Sequence, residues 1–377
     1  MLRILRIGST PSSESPGAGQ AVLKLSDNSH FKTDLVTYQP PIDVCESTNA
    51  SIHVVSFDNP VRPKSGGRFL LTQKMAVRVI LLLKFSVTVI HLFRKKSFDI
   101  IHVHSPMHYL VCLYFKFFCG CKTVLTIHGS EINLFAKYNF LKYLLFVYDR
   151  VLVVSHEQLN ILEELIGEKV SFIPNAVDSI YFDYPSEVLL SNNCPGMREK
   201  LKIVTVGSLR WQKNHSLLIE SIALSRYRHL IKLTHIGAGP DQDKLRELAI
   251  ERNVDVHFKG TLNKLDIIRA LDESHVFVLT SVVEGAPKAL IEAMSRGLYC
   301  ITTPVGECSS ILGPIGHCLQ DFKPETLAAQ IDYIYDNPLD LGCNDIKTQA
   351  KAYTWERYLD VHVRLYAGLV LATSSKN

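Results

Sequence analysis

Two series of short apolar segments, each followed by a helical pattern, run along the 377-residue chain. Segments such as RVLVVS (150–155) and HVFVLTS (275–281) carry their apolar residues consecutively rather than at alternate positions. Such runs are typical of strands buried on both faces, in a parallel sheet covered by helices. The pattern predicts an α/β fold with two doubly wound, Rossmann-like domains. The predicted strands are 2–8, 51–57, 98–105, 122–129, 150–155 and 170–175, then 202–208, 231–239, 255–260, 275–281 and 299–304.

The segment YPSEVLLSNNCPGMREK (184–200) separates the two series. It carries two prolines, a glycine and an Asn pair without an apolar period, which is typical of a linker. We therefore expect an N-terminal domain over 1–183 and a C-terminal domain over 201–354. The amphipathic segment 355–371 follows the last strand and helix, so we expect it to pack outside the second sheet.

Positive charge is concentrated in one part of the chain, although the net charge is only +4. Residues 61–150 hold fourteen Lys/Arg against three Asp/Glu, and 109–148 hold eleven of the thirty-four aromatic residues. Basic and aromatic residues among long apolar runs are typical of a surface that binds anionic lipid. Nucleic acid is less favoured because the aromatics lie in helical, Leu/Val/Phe-rich segments. A buried helix with solvated ends is an equally open alternative.

The longest apolar stretch, MAVRVILLLKFSVTVIHLF (75–93), predicts a long helix of an α/β layer rather than a membrane span. Arg78, Lys84 and His91 interrupt it, and a charge near the middle of a bilayer costs about 2.5–3.5 kcal/mol. The nine cysteines have no metal-type spacing and an odd count, and the N-terminus lacks a signal-peptide pattern. These features predict a reduced, cytoplasmic protein.

Three loops that follow strands in the second series carry the candidate chemistry, because open parallel sheets bind ligands beyond the carboxyl ends of their strands. In VGSLRWQKN, Gly207 ends a strand, Arg210 and Lys213 could hold a diphosphate, and the Asn214 side chain could cap the next helix. Two solvated loop cations are the alternative. In HIGAGP, Gly237 and Gly239 would let a ligand approach the backbone. The incomplete GxGxxG pattern and the absence of a P-loop disfavour NAD and P-loop enzymes.

The third loop, VVEGAPKALIEAMSRG (282–297), places Glu284 before a predicted helix start and Glu292 within that helix. Pro287 would occupy the first turn, where its missing N–H costs nothing. A helix start can hold an anion, and nearby carboxylates can accept hydrogen bonds from hydroxyls. Together they predict a ligand with both phosphate and hydroxyl groups. A surface pair of Lys288 and Glu292 is the alternative for the second glutamate.

The first series offers fewer candidates. In TIHGSE, His128 follows a strand beside a glycine, whereas His102 and His104 in IIHVHSP are interpreted as structural. The loop SPGAGQ, with Gly17 and Gly19, precedes a predicted helix and could approach a ligand.

Together these stretches resemble the retaining glycosyltransferases of the GT4 family, which have the GT-B fold of two Rossmann-like domains facing a central cleft. The resemblance covers nearly the whole chain, and the block EGAPKALIE, with seven residues between its glutamates, is its most specific part. One departure is Ser208, which stands where the family often has arginine. Arg210 is therefore the candidate for that arginine's role.

The resemblance implies a role for each candidate residue. Arg210 and Lys213 would hold the donor diphosphate, Glu292 the ribose hydroxyls and Glu284 the transferred sugar. His128 would line the sugar site. The remaining implied positions are the donor-side residues Gly207, Gly237, Gly239, Gly285, Ala286, Pro287 and Lys288, and the acceptor-side residues Gly17 and Gly19.

The resemblance also implies a metal-independent enzyme without a cofactor, whose donor is a UDP- or GDP-linked sugar. Its acceptor would be a growing, polyprenyl-diphosphate-linked cell-surface glycan of O-antigen, capsule or exopolysaccharide type. The enzyme would lie at the inner face of the cell membrane, held by the basic aromatic region, and its last helix (355–377) would pack on the N-terminal domain. A nucleotide-sugar epimerase of the same fold would leave the basic region unexplained. A non-catalytic scaffold would leave the two glutamates, Lys213 and His128 unexplained.

Overall fold

A computed structural model describes residues 1–8, 22–37, 49–55, 68–128, 142–185, 200–337 and 343–374. Side chains are described throughout these ranges except at 68–78, 343–344 and 373–374. The chain forms two compact units. The first comprises Met1–Ile173 together with Leu359–Asn377, and the second comprises Pro174–Tyr358.

The first unit is built on a parallel sheet with the strand order β3-β2-β1-β4-β5-β6-β7. Its central strands are apolar on both faces, because helices cover the sheet and leave Ile4, Leu5 and Val124 fully buried. The strands are β1 (Leu2–Ile7), β2 (Phe31–Thr37), β3 (Ser51–Val54), β4 (Ile100–Val103), β5 (Lys122–Ile127), β6 (Arg150–Val153) and β7 (Val170–Phe172). Helices of this unit include α1 (Arg68–Phe93), α2 (Tyr109–Cys119), α3 (Lys142–Leu145) and α4 (His156–Ile166), and residues 22–26 are also helical.

The second unit contains a parallel sheet of order β10-β9-β8-β11-β12-β13. The strands are β8 (Leu201–Val206), β9 (Ile231–Ile236), β10 (Val256–Phe258), β11 (Val276–Leu279), β12 (Tyr299–Thr302) and β13 (His317–Cys318). The helices are α5 (Ile180–Asp183), α6 (His215–Leu224), α7 (Gln242–Glu251), α8 (Lys264–Asp272), α9 (Lys288–Ser295), α10 (Cys308–Leu312), α11 (Pro324–Asp336) and α12 (Cys343–Ala350). The α/β class and the two Rossmann-like sheets predicted from the sequence are confirmed.

The last helix, α13 (Trp355–Ser374), begins in the second unit and belongs to the first from Leu359 onward. In the first unit its Tyr366 is fully buried. The Tyr366 hydroxyl accepts a hydrogen bond from Arg6 at 3.0 Å and lies 2.5 Å from His102 Nδ1. These buried polar contacts anchor the helix to strands β1 and β4.

The structure departs from the sequence prediction at the boundary of the first unit. Residues 174–183, assigned to the N-terminal domain, belong to the second unit. Val177 forms a parallel bridge with Thr354, and the buried Tyr181 side chain packs in the core of the second unit. Most of the predicted linker lies outside the described residues.

A long apolar helix was predicted near residues 75–93, and α1 (Arg68–Phe93) occupies that position. Among the described residues, none of the helices combines the length and the apolar content that crossing a bilayer requires.

Candidate functional site

The loop after β8 carries the basic residues of the candidate site. It ends in a short 3-10 turn over Trp211–Lys213, and α6 follows at His215. Asn214 joins the two in the left-handed conformation, with φ of 46°. Its side chain makes no capping hydrogen bond to the helix, so the predicted cap is wrong. Asn tolerates left-handed backbone, and this conformation accounts for its place between the two helical turns.

The loop after β9 packs directly against the basic loop, backbone to backbone. A Cβ atom on Gly237 would lie 1.9 Å from the carbonyl oxygen of Gly207, and one on Gly239 would lie 2.3 Å from that of Leu209. Gly237 also has a φ of 135°, which favours glycine. Both glycines were expected to admit a ligand. In the structure, the absence of a side chain at each glycine lets the basic loop pack closely against them. The Leu209 N–H of the basic loop donates to the Ala238 carbonyl at 3.1 Å.

Hydrogen bonds tie the loop after β11 to the same basic loop, since β8 and β11 are neighbours in the sheet. The N–H of Val282 donates to the Gln212 carbonyl at 2.9 Å, and the Thr280 hydroxyl donates to the Lys213 carbonyl at 3.0 Å. The two loops therefore hold a fixed register to each other at the carboxyl edge of the sheet.

Lys213 and Glu284 form an ion pair across these two loops. The Lys213 ammonium lies 2.5 Å from Glu284 Oε1, which also accepts a hydrogen bond from the Ser281 hydroxyl at 2.7 Å. The Lys213 and Glu284 side chains are 27% and 11% exposed, so solvent screens the pair incompletely. From the sequence the two residues were expected to have separate roles, and their pairing was not predicted.

Hydrogen bonds from residues elsewhere in the chain fix the turn between Glu284 and α9. The Gly285 carbonyl accepts a hydrogen bond from the Glu307 N–H at 2.8 Å, and the Ala286 carbonyl accepts one from the Asn175 side chain at 2.8 Å. A Cβ on Gly306 would lie 2.2 Å from the Gly285 oxygen, so glycine is required there. Gly306, Glu307 and Asn175 had not been singled out. Their contacts depend on packing between segments that are distant in sequence.

Helix α9 begins at Lys288, one residue later than predicted. Pro287 is its N-cap, with extended ψ of 114°, rather than a residue of its first turn. The first amides of α9 therefore follow the fixed turn directly. Free amides at a helix start favour an anion.

Glu292 lies in α9 next to a set of residues that the sequence did not identify. The Tyr181 hydroxyl hydrogen-bonds to Glu292. Burial raises the pKa of Glu292 to about 7, although the nearby Lys288 and Lys264 ammonium groups lower it. Burial likewise lowers the pKa of Lys288 to about 8, and Glu292 opposes that shift. The two groups interact in a largely desolvated setting, which does not fit the alternative of a solvated surface pair.

Two further contacts fix the charged groups around Glu292. The Lys288 ammonium lies 5.2 Å from the centre of the Trp355 ring, a cation–π arrangement. Lys264 forms an ion pair with Asp178 at 2.8 Å. A ligand that reaches Glu292 therefore meets two carboxylates, Glu292 and Asp178, and two ammonium groups.

The other candidates fall outside this arrangement. Arg210 is exposed, and its predicted contact with phosphate stays a prediction. His128 lies in the first unit, where its Nε2 is 2.9 Å from Nδ1 of the buried His104. Gly17 and Gly19 lie outside the described residues. Within the described ranges, no group of three or more His, Cys, Asp or Glu side chains could hold a metal ion.

Two family models match the chain. Residues 196–353 match "Glycosyl transferases group 1" and residues 35–179 match "Glycosyltransferase Family 4", so together the matches span about four fifths of the chain.

Curated relatives are distant. The gpi3 component of phosphatidylinositol N-acetylglucosaminyltransferase from Schizosaccharomyces pombe is 25% identical over 69% of this chain and 59% of its own length. An N-acetyl-α-D-glucosaminyl L-malate synthase from Bacillus anthracis is 25% identical over 58% of this chain and 60% of its own. The UDP-Gal:α-D-GlcNAc-diphosphoundecaprenol α-1,3-galactosyltransferase of Escherichia coli is 27% identical over 59% and 62%. The chain thus matches about three fifths of the length of these relatives.

Solved structures match over the full chain. Sucrose-phosphate synthase from Thermosynechococcus elongatus has a TM-score of 0.78 at 19% identity, covering 99% of this chain and 100% of its own. The lipopolysaccharide outer core galactosyltransferase WaaB has a TM-score of 0.72 at 15% identity, with coverage of 99% and 100%. At this identity the likeness establishes the GT-B fold and nothing about the ligand.

Proposed function

We propose that this chain, which belongs to the glycosyltransferases of family 4 and group 1, transfers a sugar from a nucleotide-sugar donor with retention of configuration. The ion pair between Lys213 and Glu284 supports this most strongly, because it joins a cation and a carboxylate immediately before the start of α9. A diphosphate needs the cation and the helix amides, and a sugar ring offers hydroxyls to the carboxylate.

The pair gives a physical account of donor binding. Before the donor arrives, Lys213 and Glu284 compensate each other's charge in a partly desolvated place. We infer that the donor diphosphate takes over the Lys213 ammonium, with Arg210 as a second cation. Glu284 is then free to accept hydrogen bonds from the sugar hydroxyls, and Ser281 keeps it in position. His128 is proposed as a further hydrogen-bonding partner of the sugar.

In the proposed reaction, an acceptor hydroxyl attacks the anomeric carbon on the face that the nucleotide leaves. The bond between the anomeric carbon and the phosphate oxygen breaks, and the bond to the acceptor oxygen forms. The acceptor proton passes to a phosphate oxygen of the leaving nucleoside diphosphate. Lys213, Arg210 and the α9 amides stabilise the negative charge that develops on that group, so we propose that the step needs no metal.

The acceptor is proposed from the relatives and the fold together. The Escherichia coli relative is named for a diphosphoundecaprenol-linked acceptor. We therefore propose a growing cell-surface glycan on polyprenyl diphosphate as the acceptor, with the enzyme on the cytoplasmic side of the membrane.

Nucleotide binding tests the donor site. We expect one of UDP, GDP, ADP and CMP to raise the melting temperature of the purified protein. Removing a charge-assisted hydrogen bond costs about 1.5–3 kcal/mol, so Lys213→Ala should weaken that binding by about tenfold to a hundredfold. Lys202→Ala, which removes an exposed lysine from the other end of β8, is the matched control and should bind like the wild type. Unchanged affinity in Lys213→Ala would contradict the assignment.

The pH dependence of nucleotide binding tests the role of Glu292. Ribose hydroxyls donate hydrogen bonds to a carboxylate. The protein should therefore bind the nucleotide more tightly when Glu292 is ionised. Because burial raises the pKa of Glu292 to about 7, affinity should fall as the pH falls through that value. By proton linkage the loss is about eightfold between about pH 7.5 and about pH 6. Above about pH 8, Lys288 loses its charge and affinity for the diphosphate should fall again.

Calorimetric titrations across this range, in wild type and Glu292→Gln, measure the effect. The variant has no group titrating at that position and should lose the acid-side decline. If the decline persists unchanged in Glu292→Gln, the carboxylate is not the group that the nucleotide contacts.

A further inference from the structure

Three helices of the first unit expose large apolar side chains. Apart from Leu92 near the end of α1 (51%), nine of these are more than a third exposed, and the two largest fractions belong to the adjacent Phe117 (71%) and Phe118 (76%) at the end of α2. Isolated exposed apolar residues are normal, whereas large contiguous patches mark an interaction site. The set, called here the three-helix face, comprises Val79, Ile80, Leu83 and Val87 of α1, Leu113, Phe117 and Phe118 of α2, and Tyr143 and Phe146 in and just after α3.

Packing between the helices places them side by side in the first unit. The ring of Phe85 in α1 lies 5.2 Å from that of His108, which directly precedes α2. Phe98 lies between the far ends of the two helices, with its ring 5.9 Å from that of Phe93 and 6.0 Å from that of Phe115. On the other side of α2, the Lys116 ammonium donates to the Val147 carbonyl, after α3, at 2.8 Å.

The charged residues of the three helices themselves are all basic. The sequences of α1, α2 and α3 contain no Asp or Glu. Lys84, Arg94 and Lys95 are exposed on or beside α1. The ammonium groups of Lys142 and Lys169 lie 5.6 Å and 5.8 Å from the rings of Tyr143 and Phe146.

Asp99 and Asp149, which follow α1 and α3 in the sequence, are held by contacts within the first unit. Asp99 accepts a hydrogen bond from the Arg3 N–H at 2.7 Å. Asp149 pairs with Lys116 at 2.9 Å and accepts from the Thr123 N–H at 2.8 Å. Neither carboxylate neutralises the exposed basic groups around the apolar side chains.

We propose that the three-helix face docks on an anionic lipid bilayer. Exposed aromatic rings insert among the acyl chains and head groups, and the surrounding cations bind the lipid phosphates. A second copy of the chain fits less well, because a two-fold interface on this face would bring the like charges together. The proposal goes beyond the donor chemistry, and its measurement needs no substrate.

Vesicle flotation tests the proposal. The protein should float with vesicles of phosphatidylcholine and phosphatidylglycerol in roughly equal parts and stay behind with phosphatidylcholine alone. Phe117→Ser/Phe118→Ser should weaken binding by at least about tenfold through lost apolar burial. Lys84→Glu/Lys95→Glu should weaken it by more than about tenfold at low salt. Raising the salt to about 1 M shrinks the Debye length to about 3 Å and should weaken wild-type binding as well.

The control is Ile250→Ser, which removes an apolar side chain that is 81% exposed in the second unit. It should float like the wild type. All face variants change exposed residues, and an unchanged nucleotide-induced melting shift would show that they are folded. Lys213→Ala should float normally, so failure of the donor site and failure of the face are separable.

Three results would overturn the proposal. The first is absence of binding to anionic vesicles at low salt, or binding that the face variants leave unchanged. The second is a dimer in light scattering that Phe117→Ser/Phe118→Ser dissociates, which would assign the face to a second copy. The third is binding to duplex DNA as tight as to vesicles, abolished by the charge variants alone, which would assign it to nucleic acid.

Discussion

The Glu284→Gln variant is expected to react with its sugar nucleotide about 10²–10³ times more slowly than the wild type while binding the free nucleotide at least as tightly. Glutamine keeps the size of the side chain and can still accept from Ser281, but it loses the charge that holds Lys213. The freed ammonium is then fully available to a diphosphate. Lys213→Ala should show the opposite pattern, with weakened nucleotide binding.

The effect on the reaction rate and the effect on nucleotide binding can be measured separately. Release of nucleotide from the sugar nucleotide gives kcat and KM, and calorimetry with the free nucleotide gives the dissociation constant. Glu273→Gln changes an exposed glutamate at the end of α8 and serves as the control. If the Glu284→Gln variant has wild-type kcat, Glu284 has no role in the reaction.

The fold was predictable from the sequence wherever strands are buried on both faces. All eleven predicted strands overlap an observed strand. The sequence did not show β2 (Phe31–Thr37), because Lys32, Thr33 and Asp34 interrupt its apolar run. Asp34 is tolerated there because it pairs with His53 and Lys96, both at 2.8 Å. These partners lie 19 and 62 residues away, beyond the reach of any local pattern.

The three loops of the candidate site could be located from the sequence, but the contacts that their residues make could not. The three loops were found because turn glycines and charged residues follow apolar strands. The close approach that requires Gly237 is to the carbonyl of Gly207, which only the pairing of β8 with β9 brings near. Tyr181 precedes Glu292 by more than a hundred residues and reaches it only because segment 174–183 packs in the second unit.

A buried ion pair holds that segment in place. Arg296, just after α9, binds both oxygens of Asp272 at 2.7 Å and 2.8 Å, and the Arg296 and Asp272 side chains are 2% and 6% exposed. The same guanidinium donates to the carbonyls of Tyr181 and Tyr184 at 2.9 Å and 3.0 Å. One buried side chain therefore joins α8, α9 and the segment that carries the partner of Glu292.

Arg296→Met is expected to lower the free energy of unfolding of the second unit by about 3–5 kcal/mol, because it breaks a buried ion pair and removes the guanidinium from the Asp272 carboxylate. Both tryptophans of the chain, Trp211 and Trp355, lie in the second unit. Tryptophan fluorescence in urea therefore reports mainly on this unit. Lys200→Met, which breaks a pair whose side chains are 55% and 54% exposed, is the control and should cost under about 1 kcal/mol.

The double variant Arg296→Met/Asp272→Leu separates the ion pair from the anchoring of Tyr181. Removing both charges together should restore part of the lost stability, since no charge is left buried without a partner. The Tyr181 and Tyr184 carbonyls still lack their donor, at a cost of about 1–3 kcal/mol each. Stability should therefore recover only in part, and nucleotide affinity should stay reduced, because the Tyr181 hydroxyl no longer holds Glu292 in one position. Full recovery of both would mean that Arg296 stabilises the fold without positioning the ribose-binding carboxylate.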